Sequence, residues 1–279
     1  MRILLTGATG QVGWELRKTL VPLGEVRAFD RFGLDLADAA PLVAAVRALL
    51  PELIVNAAAY TAVDKAESER DAAFAVNATA PRVLAEEAKR IGAFLVHYST
   101  DYVFDGAKAA PYVEDDAPGP INVYGESKLA GEQAIARSGC RFLVLRTSWV
   151  YGPRGKNFYL TMRRLAKERP ELRVVDDQVG APTSSLAIAR ATAQLVEKRA
   201  QGLYHMTAAG STSWCGFARA ILRHAGVATP VAPIRTEDYP TPAKRPRNSR
   251  LDCSRLREDT GVALASWEEQ LAEVTLHTP

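Results

Sequence analysis

A compact apolar run, Arg2–Thr6, meets glycine at once, and a helical pattern follows with no spacer. The junction reads Thr6-Gly7-Ala8-Thr9-Gly10-Gln11-Val12-Gly13, and Val12, Leu16 and Leu20 then recur at helical spacing. A strand that runs straight into a helix is the opening of a strand–helix alternation, which argues for a parallel sheet. Further short β-type runs fall at Glu25–Phe29, Leu53–Asn56, Phe94–Tyr98 and Arg141–Arg146. Helical patterns lie between them, at 36–50 with Asp35 or Asp38 as cap, at 66–90 with a kink or division at Pro81, and at 124–137. The runs ILL, LIV, FLV and FLVL are apolar throughout, as strands buried on both faces must be. The expected class is α/β, a doubly wound parallel sheet of Rossmann type, with ligands at the carboxyl ends of its strands.

The texture changes near Trp149, where glycine, proline and charge become frequent. Residues 1–150 are read as a dinucleotide-binding domain and 151–279 as mainly a smaller substrate-binding lobe that partly returns to the main sheet. Helices are expected at 157–167, 185–198 and 213–224, and mostly loop over 230–250, which holds five prolines.

Composition narrows the function classes. The 279 residues are 47% hydrophobic and 24% charged, with a formal net charge of +3. This mild balance gives no reason to expect nucleic acid as a partner. No run of about 18 apolar residues occurs, so no membrane span is expected and a cytoplasmic location follows by default. The three cysteines, Cys140, Cys215 and Cys253, are scattered and odd in number, which suits neither a disulfide framework nor a zinc site.

The G-x-x-G-x-x-G turn sits where a pyrophosphate would bind. Its glycines allow close backbone approach, and the helix amino terminus offers free N–H groups and a positive dipole end. The candidate cofactor residues here are Gly7, Thr9, Gly10, Gln11, Val12 and Gly13. Asp30 ends the second strand, 20 residues after Gly10, where a carboxylate would hold the adenosine ribose. Arg31 beside it would suit a 2′-phosphate, so NADPH and NADH both remain open. Asp35 and Leu36 are candidates for the adenine side. Ala57, Ala58 and Ala59 keep the exit of the third strand small enough for a cofactor to lie against it.

Tyr124 and Lys128 stand four residues apart, on one face of a helix. A phenol near an ammonium has its pKa lowered from about 10 toward neutrality and can pass a proton to a carbonyl oxygen that accepts hydride. Such a pair is common by chance. Its weight comes from the fourth strand, which ends in Ser99-Thr100-Asp101-Tyr102 and puts a hydroxyl at the sheet's carboxyl edge.

Hydroxyl, then Tyr-x-x-x-Lys, after a glycine-rich first turn: this ordered set resembles the extended branch of the short-chain dehydrogenase/reductase family. Blocks spanning nearly the whole chain resemble more narrowly the dTDP-4-dehydrorhamnose reductases. They run from Asn56 to Glu69, His97 to Phe104, Arg146 to Tyr151, Asp177 to Thr183 and Tyr239 to Leu251. The resemblance implies reduction of the C4 ketone of a nucleotide-linked 4-dehydrorhamnose with NADPH or NADH. It puts the reacting hydroxyl on Thr100, the acid on Tyr124 and the lysine on Lys128. It also implies substrate contacts at Thr100, Asp101, Tyr102, Trp149, Asn157 and Arg247, with Gln178 and Thr183 as further polar candidates. Arg247 belongs to the basic run 244–250, whose guanidinium groups suit phosphate. Some members of the family use a magnesium ion at a dimer contact. Glu15 matches one acidic position, but Leu186 stands where the second is expected, so no metal is expected and a homodimer is left open. Two other readings compete: an epimerase or dehydratase of the same branch, and a non-catalytic dinucleotide-binding subunit. A dehydratase would commonly carry Asp-Glu after the hydroxyl, where this chain has Asp101-Tyr102.

Overall fold

The computed structural model describes residues 1–276 and 278. In chain order the strands are β1 (Arg2–Thr6), β2 (Glu25–Phe29), β3 (Leu53–Asn56), β4 (Phe94–Thr100), β5 (Arg141–Thr147), β6 (Val150–Tyr151), β7 (Leu172–Val175), β8 (Val179–Gly180), β9 (Thr183–Ser184), β10 (Gly202–His205), β11 (Thr212–Ser213) and β12 (Val231–Ile234). The helices are α1 (Gln11–Thr19), α2 (Ala39–Leu49), α3 (Val63–Ala66), α4 (Arg70–Phe74), α5 (Ala80–Ile91), α6 (Val123–Ser138), α7 (Phe158–Glu168), α8 (Ser185–Glu197), α9 (Trp214–His224), α10 (Ser254–Thr260) and α11 (Trp267–Leu276).

Six strands form one parallel sheet in the order β10-β5-β4-β3-β1-β2. Alternation along each strand explains the unbroken apolar runs. Ile3, Leu5, Leu53, Val55, Val96, Leu143 and Leu145 face one core, built with α1 and α8. Leu4, Ile54, Leu95 and Val144 face the other, built with α2, α5 and α6. The second half of the chain returns to this sheet through β10, which pairs with β5, and through α8. A third core, with Tyr151, Tyr159, Phe217, Trp267 and Leu271, is made by α7, α9 and α11.

Three expectations are corrected. β4 runs to Thr100 because Tyr98, Ser99 and Thr100 keep pairing with Leu145, Arg146 and Thr147. The second helix starts at Ala39, capped by Asp38 on the Ala40 N–H, and Leu36 is buried in the core rather than helical. The expected helix over 66–90 is three pieces. Its break falls between α3 and α4, and an i→i+5 turn at 75–79 then leads into α5, whose first turn holds Pro81. The proline-rich 230–250 segment is mostly loop, as expected, and contains the short β12, which pairs in parallel with β7.

Candidate active site

The glycine turn is built for close approach. Gly7 has φ +70°, and a Cβ there would come within 2.6 Å of the Ala58 nitrogen and 2.7 Å of the Ala57 carbonyl. A Cβ on Gly13 would fall 2.0 Å from the Gly7 carbonyl oxygen. The turn therefore nests on the Ala57–Ala58 backbone, and α1 begins at Gln11 with no side-chain cap on its amino terminus. Thr9 and Gly10 are exposed above it, and Val12 packs against the core. This open cradle fits a dinucleotide pyrophosphate. At the end of β2, the Asp30 carboxylate accepts the Gly33 N–H at 2.9 Å. Arg31 is exposed, and its nearest carboxylate is Asp35 at 3.6 Å.

The carboxyl end of β4 brings the reaction-centre residues together. Thr100 and Asp101 are buried, and the Thr100 hydroxyl donates to Asp101 at 3.0 Å and accepts the Tyr102 N–H at 3.1 Å. Tyr124 lies in the first turn of α6, which Asn122 caps by accepting the Gly125 N–H at 2.8 Å. Its phenol faces Thr100 and stands edge-on to Tyr102, with ring centres 5.6 Å apart. Lys128, one turn on, is buried and donates to the Tyr98 carbonyl at 2.6 Å. Among the described residues, the buried Ser99 and Thr147 hydroxyls and one Asp101 carboxylate oxygen have no hydrogen-bond partner.

Electrostatics here differ from the simple Tyr–Lys expectation. Burial, aided by the Asp101 charge, pushes the Tyr124 phenol above its ordinary value, with Thr100 pulling the other way. The Lys128 ammonium is tied to the Tyr98 carbonyl. The phenol is thus held protonated, the form a proton donor needs. Burial lowers Lys128 to about 8, opposed by Glu132. Burial raises Asp101 to about 6, although Ser249 and Thr100 bond to it.

The lobe residues sort differently from expectation. Trp149 has φ +48°, an uncommon conformation for a bulky residue, and stacks on Trp214 with ring centres 3.5 Å apart. Phe158 backs Trp214, and Gln178 accepts the Trp214 indole N–H at 3.2 Å. Gly180 makes room, since a Cβ there would meet the Trp149 ring at 2.5 Å. The Asn157 side chain is committed elsewhere. It caps α7 by accepting the Leu160 N–H and donates to Gln11 at 2.8 Å, tying the lobe to the glycine turn. Thr183 is fully buried and donates to the Ala181 carbonyl.

Of the basic run, Arg245 pairs with Asp64 at 2.9 Å, Arg250 bonds Asn248 and the Ala109 carbonyl, and exposed Arg247 lies 3.3 Å from exposed Glu237. Sequence reasoning placed Arg245 in the basic run but gave no role to its partner Asp64 or to Asn77. Buried Asn77 donates to the Tyr60 carbonyl and to Ser127, bracing α6 from the i→i+5 turn. Only that irregular turn, not legible in the residues, singles it out. Among the described residues no group of three or more His, Cys, Asp or Glu could hold a metal ion, and no helix is long and apolar enough to cross a membrane.

Comparison with known proteins converges on one family. The family profile of the RmlD substrate binding domain matches residues 1–278. A dTDP-4-dehydrorhamnose reductase of Burkholderia thailandensis is 50% identical, covering 96% of this chain and 95% of its own length. One of Escherichia coli K12 is 46% identical over the same shares. The crystal structure of a dTDP-4-dehydrorhamnose reductase from Bacillus anthracis in complex with NADP matches with a TM-score of 0.96 at 40% identity, covering 99% of each chain. A UDP-glucose 4-epimerase from Thermus thermophilus, at 22% identity and a TM-score of 0.85, shares the fold. A glycine cradle, a Thr–Tyr–Lys cluster and full-length likeness lead to one conclusion: this chain belongs to the dTDP-4-dehydrorhamnose reductase family.

Proposed function

We propose that this protein reduces the C4 ketone of dTDP-4-dehydro-β-L-rhamnose to dTDP-L-rhamnose, with NADPH as the preferred donor, in the cytoplasm. The observation that carries the chemistry is the Tyr124 phenol, held protonated and facing Thr100, with Lys128 buried one helical turn away. When bound, the dihydronicotinamide supplies the hydride to C4. Tyr124 gives its proton to the C4 oxygen, and Thr100 hydrogen-bonds that oxygen and orients it. Lys128 holds the nicotinamide ribose and stabilises the phenolate left on Tyr124.

Gly7, Thr9, Gly10, Gln11, Val12 and Gly13 hold the pyrophosphate, with Ala57, Ala58 and Ala59 beneath it. Arg31 is free to turn to a 2′-phosphate, while Asp30 and Asp35 line the ribose and adenine side. Asp101, Tyr102 and the Trp149 face line the sugar, and exposed Arg247 meets the nucleotide phosphates. Asn157 acts through Gln11 rather than on the sugar. The test is absorbance at the nicotinamide band with dTDP-4-dehydrorhamnose made in situ and NADPH or NADH in turn. Oxidation is expected with both and faster with NADPH. No oxidation with either overturns the reading in favour of a non-catalytic subunit.

A further inference from the structure

One residue before Tyr98, β4 turns a histidine toward the same lysine. His97 is buried, and both of its ring nitrogens have neighbours. Nδ1 lies 3.1 Å from the Asn56 amide nitrogen and Nε2 lies 3.2 Å from Lys128 Nζ. Asn56 in turn accepts the Thr6 hydroxyl at 2.7 Å. A continuous polar chain therefore runs from β1 through β3 and β4 into α6, inside an otherwise aliphatic sheet.

We propose that His97 is a positioning residue for the reaction: its Nε2 accepts one N–H of the Lys128 ammonium, the Tyr98 carbonyl accepts a second, and the third is thereby aimed at the cleft. The proposal rests on the reading that Lys128 serves Tyr124 and the cofactor. An ammonium has three donors and no acceptor, so fixing two directions of a tetrahedral group fixes the last. With Lys128 titrating at about 8, the ammonium predominates at neutral pH. A ring N–H facing it at 3.2 Å would set donor against donor between two buried groups. Burial and the lysine charge keep His97 neutral, so its one proton belongs on Nδ1.

That tautomer needs an acceptor at Asn56. Half a turn of the Asn56 amide puts its oxygen on Nδ1–H and its nitrogen on the Thr6 oxygen, which can accept. The turn gives up one long bond, 3.3 Å from the Ala58 N–H. The groups that set the lysine's charge are few. Glu132 faces it from its own helix and is itself paired with Arg146 of β5, His97 faces it from β4, and Asp101 acts on Tyr124 from beyond β4.

The test uses the full chain with NADPH and dTDP-4-dehydrorhamnose. His97→Leu is expected to lower kcat about tenfold, the scale of one lost hydrogen bond, with KM little changed. Its alkaline limb should move down by about one pH unit, because the ammonium has lost an acceptor. His97→Gln, which keeps an acceptor, should recover most of the rate. On the unmodified protein, long-range proton–nitrogen correlation spectra near pH 6.5 should show His97 protonated at Nδ1 and bare at Nε2. A protonated Nε2, or a His97→Leu enzyme with unchanged kcat and pH profile, overturns the proposal. Lys128→Met separates the two readings. Near-normal activity there removes the role of the lysine itself, whereas an inactive Lys128→Met beside an unaffected His97→Leu removes only that of the histidine.

Discussion

A Cβ on Gly125 would stand 2.1 Å from the Tyr102 carbonyl oxygen. The first turn of α6 thus packs directly on the backbone that follows β4, and this contact sets Tyr124 against Thr100. The glycine of Tyr-Gly-x-x-Lys is needed for approach, not for an unusual φ. Gly125→Ala should destabilise the protein by about 1–3 kcal/mol through overpacking. It should also lower kcat more than it raises KM, because it moves the acid off its target. Thermal unfolding with steady-state kinetics checks both; normal turnover would mean the contact does not position Tyr124.

Tyr124→Phe removes the proton donor while keeping the ring beside Tyr102. A fall in kcat of about 10²–10⁴ is expected, the usual worth of a general acid. The melting temperature should change little. Turnover at the normal rate would remove Tyr124 from the chemistry.

Asp101 gives a pH-dependent stability. Its carboxyl titrates near 6 in the folded chain, against an unfolded value near 3.8, because burial disfavours the charge. A folded pKa raised in this way adds stability below about pH 4, and that stability is lost as pH rises through 6. Asp101→Asn should therefore match the parent at pH 4 and exceed it by up to about 3 kcal/mol at pH 8. Denaturant unfolding at the two pH values decides; a constant difference would place the titration elsewhere.

Glu132 and Arg146 form a two-bond pair, at 2.7 and 2.9 Å, with side chains 7% and 3% exposed. Glu132→Gln leaves the guanidinium without its counter-charge, and a loss of about 3–5 kcal/mol is expected. The same change removes the charge that supports Lys128, so the alkaline limb of kcat should move to lower pH. A stable variant with an unshifted limb would contradict both effects.

Gly180 lies under the Trp149 indole, itself stacked on Trp214. Gly180→Ala must push the ring away. The sugar-nucleotide KM should rise about tenfold, the scale of one aromatic contact, with NADPH affinity unchanged. Titration of each ligand by tryptophan fluorescence separates the two; equal weakening would argue against a sugar-side role for Trp149.

The residues alone determined most of the sheet. Strand alternation, the glycine turn and the Tyr–Lys spacing are local patterns, and local patterns survive without tertiary context. The strand expected from Phe94 and the helix expected from Tyr124 end within two residues of those observed. Partnership is another matter. Whether Lys128 acts on its helix neighbour or bonds Tyr98 and His97 depends on how α6 seats on β4. Charge in the 244–250 run was legible, but Arg245 meets Asp64 from a segment far back in the chain, leaving Lys244 and Arg247 exposed. That Asn157 bonds Gln11 could not be read from residues so far apart in the chain. Periodicity reports which face of an element is buried. Only packing of elements distant in sequence decides which polar group meets which, and desolvation in that packing then sets the pKa of each.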